Sequence, residues 1–402
     1  MARLPVLLVL IRCFAIMVNA RFSPQIGHAG HMVFAQRDRK QLVWPVTGIV
    51  LGALVAMNPF YAPDITLPIG IVAWCVDMVL VLILSAHPMG ARTGSFMAGL
   101  FLAVPCFMEA SPLARGLLMC FMAAPFLAAA ALVGIQPLHG FLARLAYLCS
   151  WCGIWQVKRQ AHSLDVIALQ QLIVATTVLA AAIAVVKAAS AFGLWLPVRW
   201  LAGGIMIFAV AEMATAGLPL VAAAFGLTLP PLMQSPYRSA SVGEFWSKRW
   251  NIFASVLARK YCFAPLARHG VALALLTTFS ASAVAHVLLV DMATGRWKIS
   301  LICGAFFLVQ PLLIGAERWL KVRRWRPMAG RAWTLAALAL TSPLFVEPAL
   351  QIIEKSWGVP DDVLLPTVAT LGFVIGFSSI LSLASLASRS AAARPGIVPI
   401  RP

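Results

Sequence analysis

Charged side chains are scarce in this sequence. Lys, Arg, Asp and Glu make up 11% of the 402 residues and hydrophobic residues make up 61%, whereas soluble domains carry about 25% charged residues. So few polar side chains cannot cover a water-soluble globule, and the short alternating strands of an outer-membrane barrel are also missing. The longest polar stretch, residues 229–268, is too short for a core of its own, so we expect no soluble domain.

Acidic residues are scarcer still. Asp and Glu number 13 against 31 Lys and Arg, which leaves a formal net charge of +18. In a soluble protein this excess would suggest nucleic-acid binding. Here the cations occupy short loops between apolar runs, where they orient membrane proteins and favour anionic headgroups or an anionic substrate. We therefore predict no nucleic-acid partner and a lipid bilayer as the surroundings.

Motifs for metals, nucleotides and covalent catalysis are also missing. Most of the eight Cys residues lie in apolar runs, where Cys behaves as a small hydrophobe. Cys149 and Cys152 form a C-x-x-C pair, but no second pair or His follows at zinc spacing. We expect no metal site and no bound cofactor.

Long apolar runs make up most of the sequence. A helical run of about 20 apolar residues is long enough to cross a bilayer. They predict an all-α, polytopic helical bundle of about 11 transmembrane helices, in which Pro219 marks a kink or break. The first run is interrupted by Arg12 and is read as a retained helix rather than a signal peptide. The predicted spans are 4–18, 43–57, 65–85, 95–108, 116–134, 166–190, 200–228, 269–290, 299–316, 332–350 and 363–387.

The loop charges alternate with these spans. Placing the basic loop 318–331 in the cytoplasm puts the basic stretches 229–268, 135–165 and 19–42 on the same side. The C-terminal tail then also faces the cytoplasm, and "EKSWGVPDD" faces outward. Without an organelle signal, a bacterial inner membrane is the expected location.

Near the middle of the chain, "SVGEFWSKRWN" (residues 241–251) combines aromatic, basic and amide side chains. Ser241 and Glu244 have the spacing of a capping box that begins a helix. On a helical wheel the apolar and polar residues of 242–259 separate, which predicts an amphipathic helix along the membrane surface. An interfacial anchor alone would explain this pattern. The apolar face would hold Val242, Trp246, Trp250, Phe253 and Leu257, and the polar face Glu244, Ser247, Lys248, Asn251, Ser255 and Arg259.

The next span, "GVALALLTTFSASAVAHVLLV", carries His286 deep in apolar sequence. Thr278, Ser282 and His286 recur every four residues and therefore line one helix face, and small alanines around them allow close approach. Polar groups inside a bilayer are costly and mark packing or functional sites. His286 is thus either hydrogen-bonded within the bundle or a general base, since His accepts a proton near neutral pH.

The "FWSKRWN" run followed by a membrane-embedded His resembles the membrane-bound O-acyltransferase superfamily, in particular its wax-synthase-like branch. The likeness rests on residues 235–290, and the segment after His286, "VLLVDMATG", matches no pattern of that branch. The resemblance implies a membrane-bound O-acyltransferase-like fold with N-terminal helices in 1–230, a catalytic core in 231–316 and C-terminal helices in 317–402. The matching residues are Phe245, Trp246, Arg249, Trp250, Asn251, Ser282 and His286.

The resemblance implies transfer of an acyl group from acyl-CoA to the hydroxyl of a hydrophobic alcohol. His286 would act as general base, and Asn251 would bind the thioester carbonyl or orient a reactant. Phe245, Trp246, Arg249, Trp250, Ser282 and Thr278 would contact substrate, and acyl-CoA would be a co-substrate rather than a cofactor. A long-chain, a sterol-like or terpenoid alcohol and a polyketide hydroxyl all fit as acceptor.

Two other classes stay open. A proton-coupled transporter or flippase could use Asp77, Glu212 and His286 as relay groups, although no inverted repeat is visible. A membrane scaffold without catalysis would leave His286 unexplained.

Overall fold

The computed structural model of the protein describes residues 47–48, 66–84, 86, 88–132, 158–159, 165–192, 196–224 and 227–354. The predicted spans 4–18 and 363–387, nearly all of 43–57, and the C-terminal tail with its predicted cytoplasmic side lie outside these residues.

The described chain is helical apart from one two-residue ladder, in which β1 (Lys158–Arg159) pairs antiparallel with β2 (Leu227–Thr228) and Lys158 stands opposite Thr228. Two π-helical turns, Phe245–Arg249 and Arg259–Phe263, interrupt the central helices, and 3₁₀ turns cover Val104–Phe107, Pro236–Arg238 and Val322–Arg324. The α-helices are α1 (Leu67–Leu84), α2 (Pro88–Phe101), α3 (Pro112–Leu132), α4 (Val166–Ala191), α5 (Leu196–Ala224), α6 (Val242–Glu244), α7 (Ile252–Ala258), α8 (Ala264–Ala267), α9 (Val271–Thr294), α10 (Trp297–Trp319), α11 (Pro327–Thr341) and α12 (Pro343–Glu354).

Five of the described helices, α1, α4, α5, α9 and α10, are long and apolar enough to cross a bilayer, and α11 with α12 makes a sixth if the bent pair is one span. They correspond to the predicted spans 65–85, 166–190, 200–228, 269–290 and 299–316. The predicted spans 95–108 and 116–134 fall on shorter apolar helical stretches, Arg92–Phe107 and Pro112–Ala123. The predicted total of about 11 is therefore not confirmed.

Apolar side chains cover the outside of these helices. Ile83, Ile167 and Val174 are 62%, 68% and 62% exposed, an arrangement that water would penalise and hydrocarbon favours. The protein is therefore an integral, multi-pass membrane protein.

Prolines act differently at two places in the bundle. The predicted span 332–350 is two helices bent by 50° at Ser342, because Pro343 has no N–H to continue the helical bonds of α11. By contrast, α5 continues through Pro219 to Ala224, so no break occurs there. Helices in bilayers tolerate Pro where neighbouring groups satisfy the freed carbonyls.

Three clusters of buried side chains hold the bundle together. The first joins α1, α2 and α3, the second joins α9 and α10 around Val242, and the third joins α4 and α5 to α12. The second and third clusters meet beside α12 and surround the cavity described next.

Candidate active site

The segment 241–251 begins as the capping-box pattern predicts. The Ser241 side chain accepts a hydrogen bond from the Glu244 N–H at 2.9 Å, while the Glu244 carboxylate accepts from the Ala240 N–H at 2.9 Å. In a capping box the carboxylate accepts from the N-cap residue itself, here Ser241. The Glu244 carboxylate instead accepts from the residue before it, Ala240. Burial alone would raise the pKa of Glu244, but the Ala240 N–H and the Arg249 guanidinium hold it below its ordinary value of 4.5.

The predicted continuous amphipathic helix is wrong. After α6 the chain forms a π-helical turn, closed by the Trp250 N–H donating to the Phe245 carbonyl at 2.8 Å, and the helix ends at Trp250. Trp246 and Asn251, assigned to opposite faces of the predicted helix, both line one cavity. A π-turn re-aims side chains in this way and is often found at functional sites.

Asn251 is the hinge between the π-turn and α7. Its φ of 40° and ψ of 68° are left-handed, a conformation that Asn tolerates better than most residues. Its Oδ1 accepts from the Ala254 N–H at 3.1 Å and so caps α7. Because only the oxygen can accept this bond, the Nδ2–H₂ donors are left for another partner.

Residues 232–234 hold this hinge in place through two backbone hydrogen bonds. The Gln234 N–H donates to the Arg249 carbonyl, and the Ile252 N–H donates to the Leu232 carbonyl, both at 2.9 Å. The two bonds flank Asn251 and therefore restrict its backbone.

Glu317 of α10 accepts hydrogen bonds from the first N–H groups of α6 and so caps the start of the segment. This carboxylate is 5% exposed and accepts from the backbone N–H groups of Val242 and Gly243 and from Trp333 Nε1, the last at 3.1 Å. The carboxylate thus gives three N–H groups an acceptor that they would otherwise lack. α10 and α11 are thereby joined to the start of α6.

Trp246 lies in an aromatic cluster rather than at an exposed headgroup position. Its Nε1 donates to the buried Gln310 side chain at 3.0 Å, and Gln310 in turn donates to the Phe306 carbonyl at 3.0 Å. The Trp246 ring contacts Phe279 and Phe307 at centroid distances of 5.9 Å. Trp250 stacks on Phe245 at 5.4 Å.

His286 faces this cluster from α9. Its Nδ1 lies 2.8 Å from the Ser282 carbonyl, which only accepts. Nδ1 therefore carries a proton, and in the neutral ring Nε2 keeps its lone pair. The ring stacks on Phe307 at 4.0 Å and meets Phe345 at 5.8 Å. About two helical turns before His286, the Thr278 hydroxyl donates to the Ala274 carbonyl at 2.7 Å.

A cavity of about 440 Å³ joins these groups. Its walls come from all three predicted segments, 1–230, 231–316 and 317–402, so the site is not confined to the predicted core, and that division stays a prediction. The predicted residues that line it are Phe245, Trp246, Trp250, Asn251, Thr278, Ser282 and His286.

Arg249 is the predicted site residue that does not line the cavity. Its Nε donates to Glu244 at 2.6 Å and its Nη1 donates to the Gln234 carbonyl at 3.1 Å. The π-turn directs Arg249 toward these partners, where it stabilises the segment.

The sequence reasoning missed most of the opposite wall. Gln310 was visible as a lone amide in an apolar span, the same signal that singled out His286, and Phe306 and Phe307 precede it on one face of α10. No local pattern marks the contributions of α5, α11 and α12. The missed lining residues are Gly204, Ile207, Phe208, Ala254, Ser255, Ala258, Phe279, Phe306, Phe307, Leu338, Ser342, Phe345 and Val346.

Other ionisable groups lie outside the cavity. Asp77 is buried beside the α1–α3 cluster, and Glu212 on α5 is not a lining residue. Across the described ranges, no three His, Cys, Asp or Glu side chains are grouped so that they could hold a metal ion. The cavity has mostly aromatic and aliphatic walls, and its polar lining side chains are the His286 imidazole, the Asn251 amide and the hydroxyls of Ser255, Thr278, Ser282 and Ser342.

Comparison with known proteins gives a consistent result. Residues 229–309 match the model of the membrane bound O-acyl transferase family. The chain is 30% identical over 139 residues to a "probable long-chain-alcohol O-fatty-acyltransferase 2" of Arabidopsis thaliana, covering 32% of this chain and 39% of that protein. It is 27% identical over 148 residues to "probable long-chain-alcohol O-fatty-acyltransferase 7" of the same plant, covering 33% and 43%.

The alignments thus span less than half the length of these relatives. The family match covers the π-turn, Asn251, α9 with His286, and most of the aromatic wall of α10. The resemblance to the wax-synthase-like branch is confirmed, and residues 229–309 are similar to the membrane bound O-acyl transferase family.

Proposed function

We propose that this protein is a membrane-embedded acyltransferase that moves an acyl group from acyl-CoA to the hydroxyl of a hydrophobic alcohol. The observation that carries the proposal is one cavity that contains both His286, with Nε2 unprotonated, and Asn251, with its amide donors uncommitted by the helix cap. The names of the plant relatives support the same reaction class.

In the proposed reaction His286 is the general base. An alcohol is a weak nucleophile at neutral pH, so Nε2 takes the hydroxyl proton as the oxygen attacks the thioester carbonyl. The C–S bond then breaks, and the imidazolium returns the proton to the departing thiolate. The Nδ1 bond to the Ser282 carbonyl holds the ring in the tautomer that this step needs.

Asn251 is proposed to stabilise the oxyanion. Its Nδ2–H₂ would donate to the carbonyl oxygen as negative charge develops, a contribution of about 3–4 kcal/mol in comparable sites. The aromatic walls exclude water and so protect the thioester from hydrolysis.

The donor would enter from the basic side of the molecule. Arg238, Lys248, Arg259 and Arg268 are exposed around the π-turns and would attract the anionic coenzyme. Arg249 is proposed to support the segment through Glu244 rather than to contact substrate.

The transporter alternative is not favoured. Asp77 and Glu212 do not share the cavity with His286, so the three groups do not form one relay.

We place the protein in a bacterial inner membrane with residues 318–331 and 235–265 in the cytoplasm. Single cysteines in these loops should resist an impermeant thiol reagent added to intact cells and react after permeabilisation. Labelling of 318–331 in intact cells would overturn the orientation.

Purified protein given radiolabelled acyl-CoA and a panel of hydrophobic alcohols should form ester and an equal amount of free CoA thiol. His286→Ala should abolish both products, whereas His269→Ala, a change at an exposed histidine outside the cavity, should not. Release of thiol without ester would contradict the alcohol as acceptor. Failure to bind acyl-CoA, together with proton-coupled uptake of a solute into vesicles, would support the transporter class.

A further inference from the structure

The cavity has two distinguishable ends. At one end stands Asn251, from which the chain runs through α7, the second π-turn and α8 to the start of α9. The other end is identified by a polar network in which Arg296, just after α9, donates to Gln351 at 3.2 Å, and Gln351 donates to Glu347 at 3.1 Å. Glu347 also pairs with Arg199 near the start of α5. The end of α9, the start of α5 and the later part of α12 therefore lie together, away from Asn251.

Gly204 and Val346 lie toward this second end. Val346 directly precedes Glu347 in the chain. Trp200 Nε1 donates to Glu347 at 3.0 Å, and Gly204 lies one helical turn after Trp200. Phe345 connects them to His286, since the two rings are 5.8 Å apart. His286 thus stands between the Asn251 end and the Gly204 end.

Adjacent glycines in α5 differ in the space around them. A Cβ on Gly203 would lie 2.6 Å from Val346 Cγ1 and 2.9 Å from Leu350, so Gly203 is needed for close packing of α5 on α12. A Cβ on Gly204 would meet only Val346 Cγ2, at an ordinary 3.8 Å. Gly204 lines the cavity, and its missing side chain leaves room there rather than permitting helix contact.

We propose that Gly204 and Val346 form the acceptor end of the cavity and determine how bulky an alcohol can be next to its hydroxyl. The inference rests on the proposed function. The thioester carbonyl must reach Asn251 and the alcohol oxygen must reach His286 Nε2, so the body of the alcohol occupies the side of His286 away from Asn251. Ile207, which packs against the cluster that contains Val346, gives this end a further apolar wall that suits a hydrocarbon. Phe208 instead lies against Trp250, next to Asn251 in the chain.

The test compares linear with branched or ring-bearing alcohols of equal carbon number. In Gly204→Val the added isopropyl group projects into the cavity. We expect kcat/KM for the bulky alcohol to fall at least about tenfold relative to kcat/KM for the linear alcohol, since one methylene in an apolar pocket changes selectivity about 10–200-fold. Val346→Ala should raise kcat/KM for the bulky alcohol relative to that for the linear alcohol. Preference among acyl-CoA chain lengths should not change in either variant.

Gly217→Val is the matched control, because it lies in the same helix, does not line the cavity, and its added Cβ would meet nothing within 4 Å. Melting temperature in detergent verifies that each variant is folded. An unchanged alcohol ratio in folded Val346→Ala and Gly204→Val would overturn the inference, as would a shift in acyl-chain preference instead. The rise in melting temperature with each alcohol reports the same selectivity without turnover, so absent ester formation in all variants refutes only the proposed function.

Discussion

The replacement of Asn251 by Asp separates the folding role of this residue from its proposed chemical role. The cap needs only an oxygen to accept from the Ala254 N–H, and Asp provides it and also tolerates left-handed backbone. Asp does not provide the Nδ2–H₂ donors and would place a carboxylate where negative charge develops. Asn251→Asp should therefore fold like the wild type and lose most of its activity.

The magnitudes differ enough to be measured. Loss of an oxyanion donor typically costs about 10²–10³ in kcat, whereas the melting temperature of Asn251→Asp should stay near that of the wild type. Asn251→Ala also loses the donor, and its loss of the cap and of a residue suited to φ of 40° costs about 2–3 kcal/mol of stability. Asn251→Gly keeps the backbone freedom and should lose rate with little loss of stability.

The assay is ester formation under single-turnover conditions, with melting in detergent measured on the same samples. Ser255→Ala is the comparison on the same helix, since its hydroxyl donates to the Trp246 carbonyl and only a mild loss of rate is expected. If Asn251→Asp keeps more than about a tenth of the wild-type rate, the amide is not an oxyanion donor. Equal losses at Asn251 and Ser255 would mean that this face acts in docking rather than in chemistry.

Three further predictions follow from the site. His286→Ala should reduce turnover about 10²–10⁴-fold with little change in melting, and more than a tenth of the activity remaining, or loss of the folded protein, would contradict its role as base. Glu317→Ala leaves three buried or part-buried N–H groups without their acceptor and should cost about 2–5 kcal/mol, measured by melting in detergent. Glu317→Gln should cost less and Glu109→Ala, at an exposed carboxylate, should be neutral, so equal melting of all three would refute the cap. Because the pKa of Glu244 is lowered from 4.5, the stability it contributes is present above that pH and is lost as pH falls through the folded pKa. Glu244→Gln should therefore flatten the decline in melting temperature below about pH 4.5, and an unchanged decline would assign it to other carboxylates.

Signals that depend on local spacing were readable from the sequence. Apolar runs long enough for a bilayer identified the five long helices, and the four-residue recurrence of Thr278, Ser282 and His286 placed all three at one cavity. The Ser241 cap was also predicted, since capping involves neighbouring backbone groups. In each case the decisive geometry lies within one or two helical turns.

The position of Asn251 depended on contacts that no local pattern encodes. A regular helix would have put Asn251 on the polar face away from Trp246, but bonds from residues 232–234 and the Glu317 cap hold a π-turn and a left-handed hinge instead. The same change sent Arg249 to Glu244 and away from the cavity. A sequence wheel assumes 3.6 residues per turn and fails where tertiary bonds change that period.

Hydrophobicity and helical period act over short distances, so they were enough to identify a helical membrane protein and the helix that carries an embedded histidine. The groups that face this histidine come from other helices and became known from the fold. Gly204, Phe307 and Phe345 are far apart in the chain and meet at the cavity because α10 and α12 pack on α9 and α5 packs on α12. Packing between helices depends on the side chains of both helices, so the sequence of one segment does not predict which segment it packs against.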